Sequence, residues 1–311
     1  MKKQIDLYVI SGFLGSGKTT FLTHFMDSFT DKKVGILVNE LGTVSIDGMV
    51  IEQNGITMTE ITNGSIYCYC KHEDFIRVLK AFSTSDIDVL IIENSGMADP
   101  SNIHRLLREG EDDRKFTYKG AICVLDAMTF LNHVAVLPSI QNQVYSSNFV
   151  VLNKVDLVNQ RIVEACKEKV KELNPKAYII ETIFSQVQAL DLEMYLKDNG
   201  FDGETTNKCY NKFMSYSLEC EEVLQSETME AFVEAVKSKL YRLKGFVKTE
   251  DTWLQVDAVE EQVFVKEVVL HKRQKLNKTK LVVIGKDGED FKEWLLEKWN
   301  EICQVEVTLY E

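Results

Sequence analysis

The feature that most constrains this chain is a glycine-rich run directly after an apolar segment near its start. The apolar segment extends from Ile5 to Ile10, and the run reads Gly12-Phe13-Leu14-Gly15-Ser16-Gly17-Lys18-Thr19. It matches the phosphate-binding pattern G-x-x-x-x-G-K-[ST] at every position. Helical periodicity follows from Thr19 to Phe29. A strand, a glycine-rich loop and a helix in this order predict a site for nucleotide phosphates.

Each residue type in this loop has a part in holding a triphosphate. The glycines let backbone N–H groups turn toward the phosphates, and the helix N-terminus adds partial positive charge. Lys18 is expected to reach the β- and γ-phosphates and to act in catalysis, and the Thr19 hydroxyl is expected to bind Mg²⁺. The predicted nucleotide-binding residues here are Gly12, Gly15, Ser16, Gly17, Lys18, Thr19 and Thr20.

A second motif, Asn153-Lys154-Val155-Asp156, closes the apolar run from Phe149 to Leu152. Asp156 can accept hydrogen bonds from N1–H and N2–H of guanine, whereas adenine presents an acceptor at that edge. Charge-assisted bonds of about 1.5–3 kcal/mol each would therefore reject adenine. We predict GTP as the nucleotide, with Asn153, Lys154 and Asp156 at its base.

The apolar run from Val89 to Ile92 ends in Glu93-Asn94-Ser95-Gly96. The backbone N–H of Gly96 could sense the γ-phosphate, and Glu93 is a predicted catalytic residue. We favour Glu93 as the group that orients the attacking water, and it could instead hold a water bound to Mg²⁺. A third interpretation is structural, in which Glu93 only caps a helix from Pro100 to Arg108.

The segment from Asn39 to Gly48 combines acidic residues and glycines, which suits a switch ordered by Mg²⁺ and the γ-phosphate. Glu40 and Asp47 are predicted metal-contacting residues, directly or through water, and Asp47 is also a candidate catalytic residue. The alternative for both is a solvated loop carboxylate.

Val- and Ile-rich apolar runs alternate with amphipathic segments along most of the chain. Near-continuous apolar strands are typical of a sheet covered on both faces, so we predict an α/β fold with a mostly parallel sheet. The predicted strands are Ile5 to Ile10, Val34 to Val38, Val89 to Ile92, Ala121 to Leu125, Phe149 to Leu152 and Ala177 to Ile180, and the predicted helices are Thr19 to Phe29, Phe75 to Phe82, Ile103 to Arg108 and Ile162 to Leu173.

A polar stretch from Lys197 to Asn211 is predicted to be a linker. We expect a nucleotide-binding domain over residues 1–200 and a smaller α+β domain over residues 201–311. In the second domain the predicted strands are Phe213 to Leu218, Trp253 to Val256, Gln262 to Leu270 and Lys280 to Ile284, and the predicted helices are Glu227 to Tyr241 and Phe291 to Trp299.

These blocks together resemble the CobW-like GTPases, P-loop proteins that include cobalt and zinc metallochaperones and relatives of the hydrogenase and urease nickel-insertion GTPases. The resemblance implies a GTPase domain followed by a smaller α+β domain, Mg²⁺-dependent hydrolysis of GTP, a client protein that receives a metal or metallocofactor, and a homodimer in some relatives. The blocks are Gly12 to Thr20, Val38 to Gly48, Glu93 to Pro100, Asn153 to Asp156, Tyr241 to Phe246 and Leu281 to Gly285.

One block departs from the family. Its metal motif is C-x-C-C after Asn-Gly, and here Ser65 and Tyr67 replace the first two cysteines after Asn63-Gly64, while Thr43 replaces the usual switch acid. Cys68, Cys70 and His72 nevertheless alternate, and an extended segment would aim all three side chains to one side. They could bind Zn²⁺ or Co²⁺, with Glu40 or water as fourth ligand. The alternative is that these cysteines are small core residues.

Bulk properties exclude several other classes. The net charge is −12, from 36 basic and 48 acidic residues, without a basic stripe, so nucleic acid is not expected as a partner. No apolar run approaches the roughly 18 residues of a membrane span, and the start lacks a signal-peptide cleavage site. Together with an odd count of 7 cysteines, these features predict a cytoplasmic protein with reduced thiols.

The leading hypothesis is therefore a GTPase that acts as a metal or metallocofactor chaperone. The alternative keeps the GTPase without metal carriage, and it gates the assembly or reactivation of a partner enzyme, for instance one that uses a corrinoid. A small-molecule kinase built on the same loop is disfavoured, because kinases seldom select guanine.

Overall fold

The computed structural model describes residues 4–39, 57–61, 72–109, 115–206, 214–259, 262–269, 276–286 and 290–310. The described chain separates into two compact units: the first contains residues 4–39, 57–61, 72–109 and 115–206, and the described part of the second begins at residue 214. None of the helices in these ranges is both long and apolar enough to cross a membrane.

The first unit contains a seven-stranded sheet in the order β3-β2-β4-β1-β5-β6-β7, and every described strand pair in it is parallel. This confirms the predicted α/β fold. The strands are β1 (Ile5–Ser11), β2 (Val34–Asn39), β3 (Thr57–Ile61), β4 (Val89–Glu93), β5 (Phe116–Asp126), β6 (Phe149–Asn153) and β7 (Tyr178–Thr182).

Within the described ranges, seven α-helices connect these strands, and short 3-10 helices lie at Asp27–Phe29 and Val155–Leu157. The α-helices are α1 (Lys18–Met26), α2 (His72–Thr84), α3 (Ile103–Glu109), α4 (Phe130–Val136), α5 (Pro138–Tyr145), α6 (Gln160–Leu173) and α7 (Ala189–Tyr195).

The apolar strands of this sheet serve two separate cores. On one face Leu7, Val9 and Leu90 pack with α2 and α3, and on the other Ile36 and Ile91 pack with α1 and α7. Because successive side chains of a strand point to opposite faces, a sheet covered on both faces needs apolar residues at nearly every position. That requirement explains the near-continuous apolar runs in the sequence.

The strand order places the predicted site at one edge of the sheet. β1 lies between β4 and β5, and β6 follows β5. Since these strands are parallel, their carboxyl ends meet at one edge, which is where ligands bind in open α/β sheets. Glu93, Asp126 and Asn153 are the last residues of β4, β5 and β6.

The second unit contains a six-stranded antiparallel sheet in the order β11-β10-β9-β12-β8-β13. Two helices, α8 (Ser226–Val236) and α9 (Phe291–Ile302), pack on this sheet around Phe232 and Trp299. The strands are β8 (Met214–Cys220), β9 (Leu240–Lys248), β10 (Trp253–Val259), β11 (Gln262–Val268), β12 (Thr279–Gly285) and β13 (Thr308–Tyr310).

One element of this unit was predicted wrongly. The helix predicted from Glu227 to Tyr241 ends at Val236, and after a 3-10 turn at Lys237–Lys239 strand β9 begins at Leu240. Strand β9 pairs with β10 on one side and with β12 on the other. Hydrogen bonding on both sides therefore outweighs the local helical pattern.

Candidate nucleotide site

The glycine-rich run forms a loop that turns into α1. Gly12, Gly15 and Gly17 have φ values of 140°, 73° and 105°, a region that residues with a Cβ rarely adopt. At Gly17 a Cβ would also lie 2.6 Å from Asn153 Nδ2. Gly17 is the N-cap of α1, so the first backbone N–H groups of that helix face the loop.

Two of the predicted phosphate ligands are held by this loop. Lys18 is 7% exposed, and its Nζ donates to the carbonyl oxygen of Phe13 at 3.1 Å. Ser16 is fully buried, and its hydroxyl makes no hydrogen bond within the described part of the chain. Thr20 lies exposed on the first turn of α1. The loop thus holds its ammonium group inside the turn, close to where phosphates are expected.

Glu93 and Thr19 meet at the carboxyl end of β4. The Thr19 hydroxyl donates to Glu93 Oε1 at 2.9 Å, and Glu93 is 3% exposed. A hydroxyl and a carboxylate are hard oxygen donors of the kind that Mg²⁺ prefers, so the residues present fit this ion. Helix α3 begins only at Ile103, so Glu93 contacts the glycine-rich loop instead of capping that helix.

Gly96 lies directly against the glycine-rich loop. A Cβ at this position would approach the Leu14 backbone nitrogen to 2.6 Å, so only glycine allows the contact. The main chain beyond it is held by Gln143 of α5, which is fully buried. Its Nε2 donates to the carbonyl oxygens of Gly96 and Ala98 at 3.3 and 2.7 Å.

Asn153 connects three parts of the site. Its Nδ2 donates to the Ser16 carbonyl at 2.9 Å, while its Oδ1 accepts from the Thr182 hydroxyl at 3.2 Å and from the Ser185 backbone N–H at 2.8 Å. Ser185 Oγ in turn donates to the Gly17 carbonyl at 3.2 Å. Asn153 therefore fixes the loop relative to the ends of β6 and β7.

The other two residues predicted to lie at the base, Lys154 and Asp156, differ in their surroundings. Lys154 has a left-handed φ of 62° and pairs with Asp126 at 2.6 Å. Asp156 lies in the 3-10 helix Val155–Leu157, where its side chain is exposed. The carboxylate predicted to recognise guanine is thus accessible from solvent at the same sheet edge as the glycine-rich loop.

Sequence reasoning missed four residues of this site: Asp126, Gln143, Thr182 and Ser185. Asp126 ends an apolar strand, as Glu93 does, and that position was a usable signal. Gln143, Thr182 and Ser185 carry no motif, because their roles depend on neighbours that are distant in sequence.

Several predicted metal ligands lie outside the described residues: Glu40, Asp47, Cys68 and Cys70. For His72 the backbone alone is described, and it begins α2. The expectation that His72 belongs to an extended segment is therefore wrong. A residue at a helix start does not continue the alternation of a strand.

The described cysteines do not form a metal site. Cys123, Cys166, Cys220 and Cys303 are free and buried, and the residues that the structure describes contain no cluster of three or more potential metal ligands. Burial raises the pKa of the Cys123 and Cys303 thiols to about 12, and that of the Cys166 thiol to about 11. These thiols are therefore protonated and inert at neutral pH.

The parallel sheet, the glycine-rich loop that opens α1, and the Thr19–Glu93 contact define a P-loop nucleotide-binding protein. Comparison with family models narrows the class. Residues 6–181 match the model described as CobW/HypB/UreG, nucleotide-binding domain, and residues 213–302 match the cobalamin synthesis protein cobW C-terminal domain. The chain belongs to the CobW/HypB/UreG family, which confirms the predicted resemblance.

Curated relatives are distant. Zinc-regulated GTPase metalloprotein activator 1 of Dictyostelium discoideum is 27% identical over 223 residues, covering 60% of this chain and 47% of the relative. Zinc chaperone CobW of Pseudomonas aeruginosa is 25% identical over 290 residues, covering 78% and 76%. The chain thus spans about half the length of the first of these relatives. A crystal structure of Zn(II)-bound YjiA GTPase from E. coli is 22% identical, with a TM-score of 0.48 and coverage of 96% and 99%.

Proposed function

We propose that this protein binds GTP with Mg²⁺, hydrolyses it to GDP and phosphate, and uses this cycle to deliver a metal ion or metallocofactor to a client protein. The observation that carries the proposal is the direct connection of Asn153 to the Ser16 carbonyl at 2.9 Å. It joins a guanine-type motif to a phosphate-binding loop in one site. Membership in the family and the names of the curated relatives support this function.

In this proposal the loop N–H groups, the N-terminus of α1 and Lys18 bind the phosphates. Thr19 and Glu93 would hold Mg²⁺, which neutralises charge on the phosphate oxygens. The Thr19–Glu93 contact of 2.9 Å supports a metal-side role for Glu93 over the water-orienting role that we favoured from sequence. Asp47 is then left as the candidate group for orienting the attacking water.

The base is proposed to lie beside Lys154 and Asp156. The Asp126 carboxylate pairs with the Lys154 ammonium at 2.6 Å, and this contact fixes the position of the Lys154 side chain. The exposed carboxylate of Asp156 would accept both guanine donors. Because an adenine would leave that carboxylate facing an acceptor, the site should favour guanosine nucleotides.

The proposed cargo site uses Cys68, Cys70 and His72, with Glu40 or water as the fourth ligand for Zn²⁺ or Co²⁺. One observation favours a second function without metal carriage, in which the GTPase gates assembly or reactivation of a client enzyme. Ser65 and Tyr67 stand where the family motif has its first two cysteines. The client in either case would be a metalloprotein or a corrinoid protein, and the GTPase could act as a homodimer.

The nucleotide part is tested by calorimetry on the purified chain with Mg²⁺. GTP should bind at least about tenfold more tightly than ATP, as expected from loss of one charge-assisted hydrogen bond. Phosphate should be released from GTP without an added acceptor, which separates a GTPase from a kinase. Equal affinity for the two nucleotides would contradict the proposal.

The cargo part is tested by titrating Zn²⁺ and Co²⁺ in the presence of GDP or a non-hydrolysable GTP analogue. A chaperone should bind one ion differently in the two states, and Cys68→Ala with Cys70→Ala should abolish that difference. Cys303→Ala, at a buried cysteine of the second unit, is the control. A metal affinity that is unchanged by the double substitution would favour the function without metal carriage.

A further inference from the structure

The last described segment of the first unit lies within the predicted linker, yet it is not a free linker. Residues 198–206 contain no helix or strand, yet they pack back onto the first unit. The Gly203 backbone N–H donates to the Ser101 carbonyl at 2.9 Å, and Asn142 Nδ2 donates to the Glu204 carbonyl at 3.2 Å. We call residues 198–206 the connector, since the chain continues from it toward the second unit.

An ion pair and a histidine–carboxylate contact add to these interactions at the surface. Arg108 of α3 pairs with Asp202 at 2.6 Å, and His104 lies 3.0 Å from Asp198. The Arg108 and Asp202 side chains are 57% and 39% exposed, so water screens this pair strongly. The exposed pairs help to place the connector, but they do not reach the nucleotide site.

Asp99 makes the buried contact. This residue is fully buried, and its Oδ2 accepts from the Thr206 backbone N–H at 2.8 Å and from the Thr206 hydroxyl. Its Oδ1 accepts from the Ser101 backbone N–H at 3.2 Å. A buried carboxylate needs such donors to offset its lost hydration, so separating Thr206 from Asp99 is costly unless both move together.

The main-chain segment that ends in Asp99 begins at Gly96, which contacts the glycine-rich loop. Gly96 lies against Leu14, and Gln143 holds the carbonyl oxygens of Gly96 and Ala98. Every residue from Asn94 to Ile103 is buried. A buried and hydrogen-bonded segment of this kind shifts as a unit, because close-packed interiors do not deform continuously.

We propose that Asp99 is a positioning residue that makes the connector responsive to the nucleotide, an inference that rests on the proposed GTPase function. When a γ-phosphate is present, the Gly96 N–H turns toward it and the segment from Gly96 to Asp99 adjusts with it. Thr206 follows Asp99, so the connector differs between the GTP and GDP states. The nucleotide state is thereby passed along the chain toward the second unit.

Hydrogen exchange measured by mass spectrometry on the full chain tests this proposal. The Thr206 amide bonds to Asp99 directly, so peptides covering residues 203–206 report on the contact. With Mg²⁺, their exchange in the wild type should differ by about fivefold between GDP and a non-hydrolysable GTP analogue, the change expected when movement of the connector with Asp99 breaks one backbone hydrogen bond in these residues.

Substitutions distinguish a connector that responds to the nucleotide through Asp99 from one that Asp99 only holds in place. Asp99→Asn and Thr206→Val should abolish the nucleotide-dependent difference, and Thr206→Ser, which keeps the hydroxyl, should retain it. Arg108→Ala removes an exposed connector contact, so it should speed exchange equally with both nucleotides and preserve the difference. If Asp99→Asn does not fold, Thr206→Val against Thr206→Ser decides.

Failure of the two proposals can be distinguished. If GTP binds but residues 203–206 exchange equally with both nucleotides in the wild type, the coupling is wrong and the GTPase proposal stands. The coupling is also wrong if Asp99→Asn or Thr206→Val leaves the difference intact. If calorimetry detects no binding of GTP, the proposed function is wrong and the coupling falls with it.

Discussion

Asn153 illustrates how a recognition motif can also hold a site together. Its Nδ2 donates to the Ser16 carbonyl, and its Oδ1 accepts from the Thr182 hydroxyl and the Ser185 backbone N–H. The proposed base-reading role belongs to Asp156, whose side chain is exposed. Substitutions at these two positions should affect different properties, with Asn153 governing loop geometry and Asp156 governing base selectivity.

We expect Asp156→Asn to weaken GTP binding by about 2–4 kcal/mol, because a carboxylate that accepts from two guanine donors becomes a neutral amide. ATP binding should change much less. Isothermal titration calorimetry with both nucleotides checks this. Glu172→Gln, on the exposed surface of α6, makes the same charge change away from the site and should leave GTP binding intact. Wild-type affinity in Asp156→Asn would mean that the base is read elsewhere.

Thiol chemistry gives a second prediction at this scale. Burial raises the pKa of the Cys123 and Cys166 thiols to about 12 and 11, and a protonated, buried thiol reacts slowly with maleimide. Near neutral pH, native protein should therefore be labelled only at Cys68, Cys70 or Cys209, as read by mass spectrometry of peptides.

Zn²⁺ should protect Cys68 and Cys70 from this labelling if they bind the ion, and unfolding in urea should expose all the cysteines. Rapid labelling of Cys123 in the native protein would contradict the burial of its side chain. Labelling of Cys68 and Cys70 that Zn²⁺ does not slow would count against the cargo site.

The glycine-rich loop was predictable residue by residue because its motif encodes its geometry: two glycines, a lysine and a hydroxyl residue at fixed spacing leave few other conformations. Asp126 and Ser185 were not predictable in this way. Their roles arise because β5, β6 and β7 are neighbours in the sheet, and strand order depends on contacts that no local pattern records. The same applies to Gln143, which reaches from α5 to the main chain after β4.

At the scale of elements, strand positions followed from apolar composition. The run predicted as Val34 to Val38 is observed as Val34–Asn39, and the run predicted as Val89 to Ile92 is observed as Val89–Glu93. The failures are elements whose local pattern is ambiguous. β9 was not predicted, and the predicted helix ran into its first two residues, Leu240 and Tyr241. Pairing with β10 and β12 determines the conformation of this segment.

Helix α5 is expected to control the main chain that carries Gly96. Gln143→Leu removes the donor to two buried carbonyl oxygens and should lower the free energy of unfolding by about 1–3 kcal/mol. It should also slow GTP hydrolysis more than it weakens GTP binding, because the Gly96 main chain loses its support. Urea denaturation and single-turnover phosphate release measure the two effects.

Gln141→Leu is the matched control for this variant. Gln141 lies on the same helix and donates to the Val134 carbonyl, away from Gly96. It should cost some stability and leave the hydrolysis rate unchanged. Equal hydrolysis rates in the two variants would mean that the Gln143 contacts with Gly96 and Ala98 do not influence hydrolysis.

At the scale of the whole molecule, the two units have separate hydrophobic cores. One is built around a parallel sheet with two covered faces, and the other around an antiparallel sheet with α8 and α9. All the predicted nucleotide ligands that the structure describes belong to the first unit. Nucleotide binding and the packing of the second core should therefore be separable by substitution.

Trp299 provides the test. It is fully buried, its indole N–H donates to the Val305 carbonyl at 3.1 Å, and its ring meets Phe232 edge to face at 5.0 Å. Trp299→Ala should destabilise the second unit by about 3–5 kcal/mol, the usual cost of removing a large buried aromatic side chain. Trp299→Phe should cost less, since it keeps most of the ring volume.

GTP affinity, measured by calorimetry, should be unchanged in Trp299→Ala because every predicted nucleotide ligand that the structure describes belongs to the first unit. GTP at about 100 times its Kd should still stabilise the first unit by about 2.7 kcal/mol, since it binds only the folded site. Hydrogen exchange should then accelerate in β9 and β12 while β1 and β6 keep their protection. If β1 and β6 lose protection together with β9 and β12, the two cores unfold as one cooperative unit, and the separation inferred from their packing is wrong.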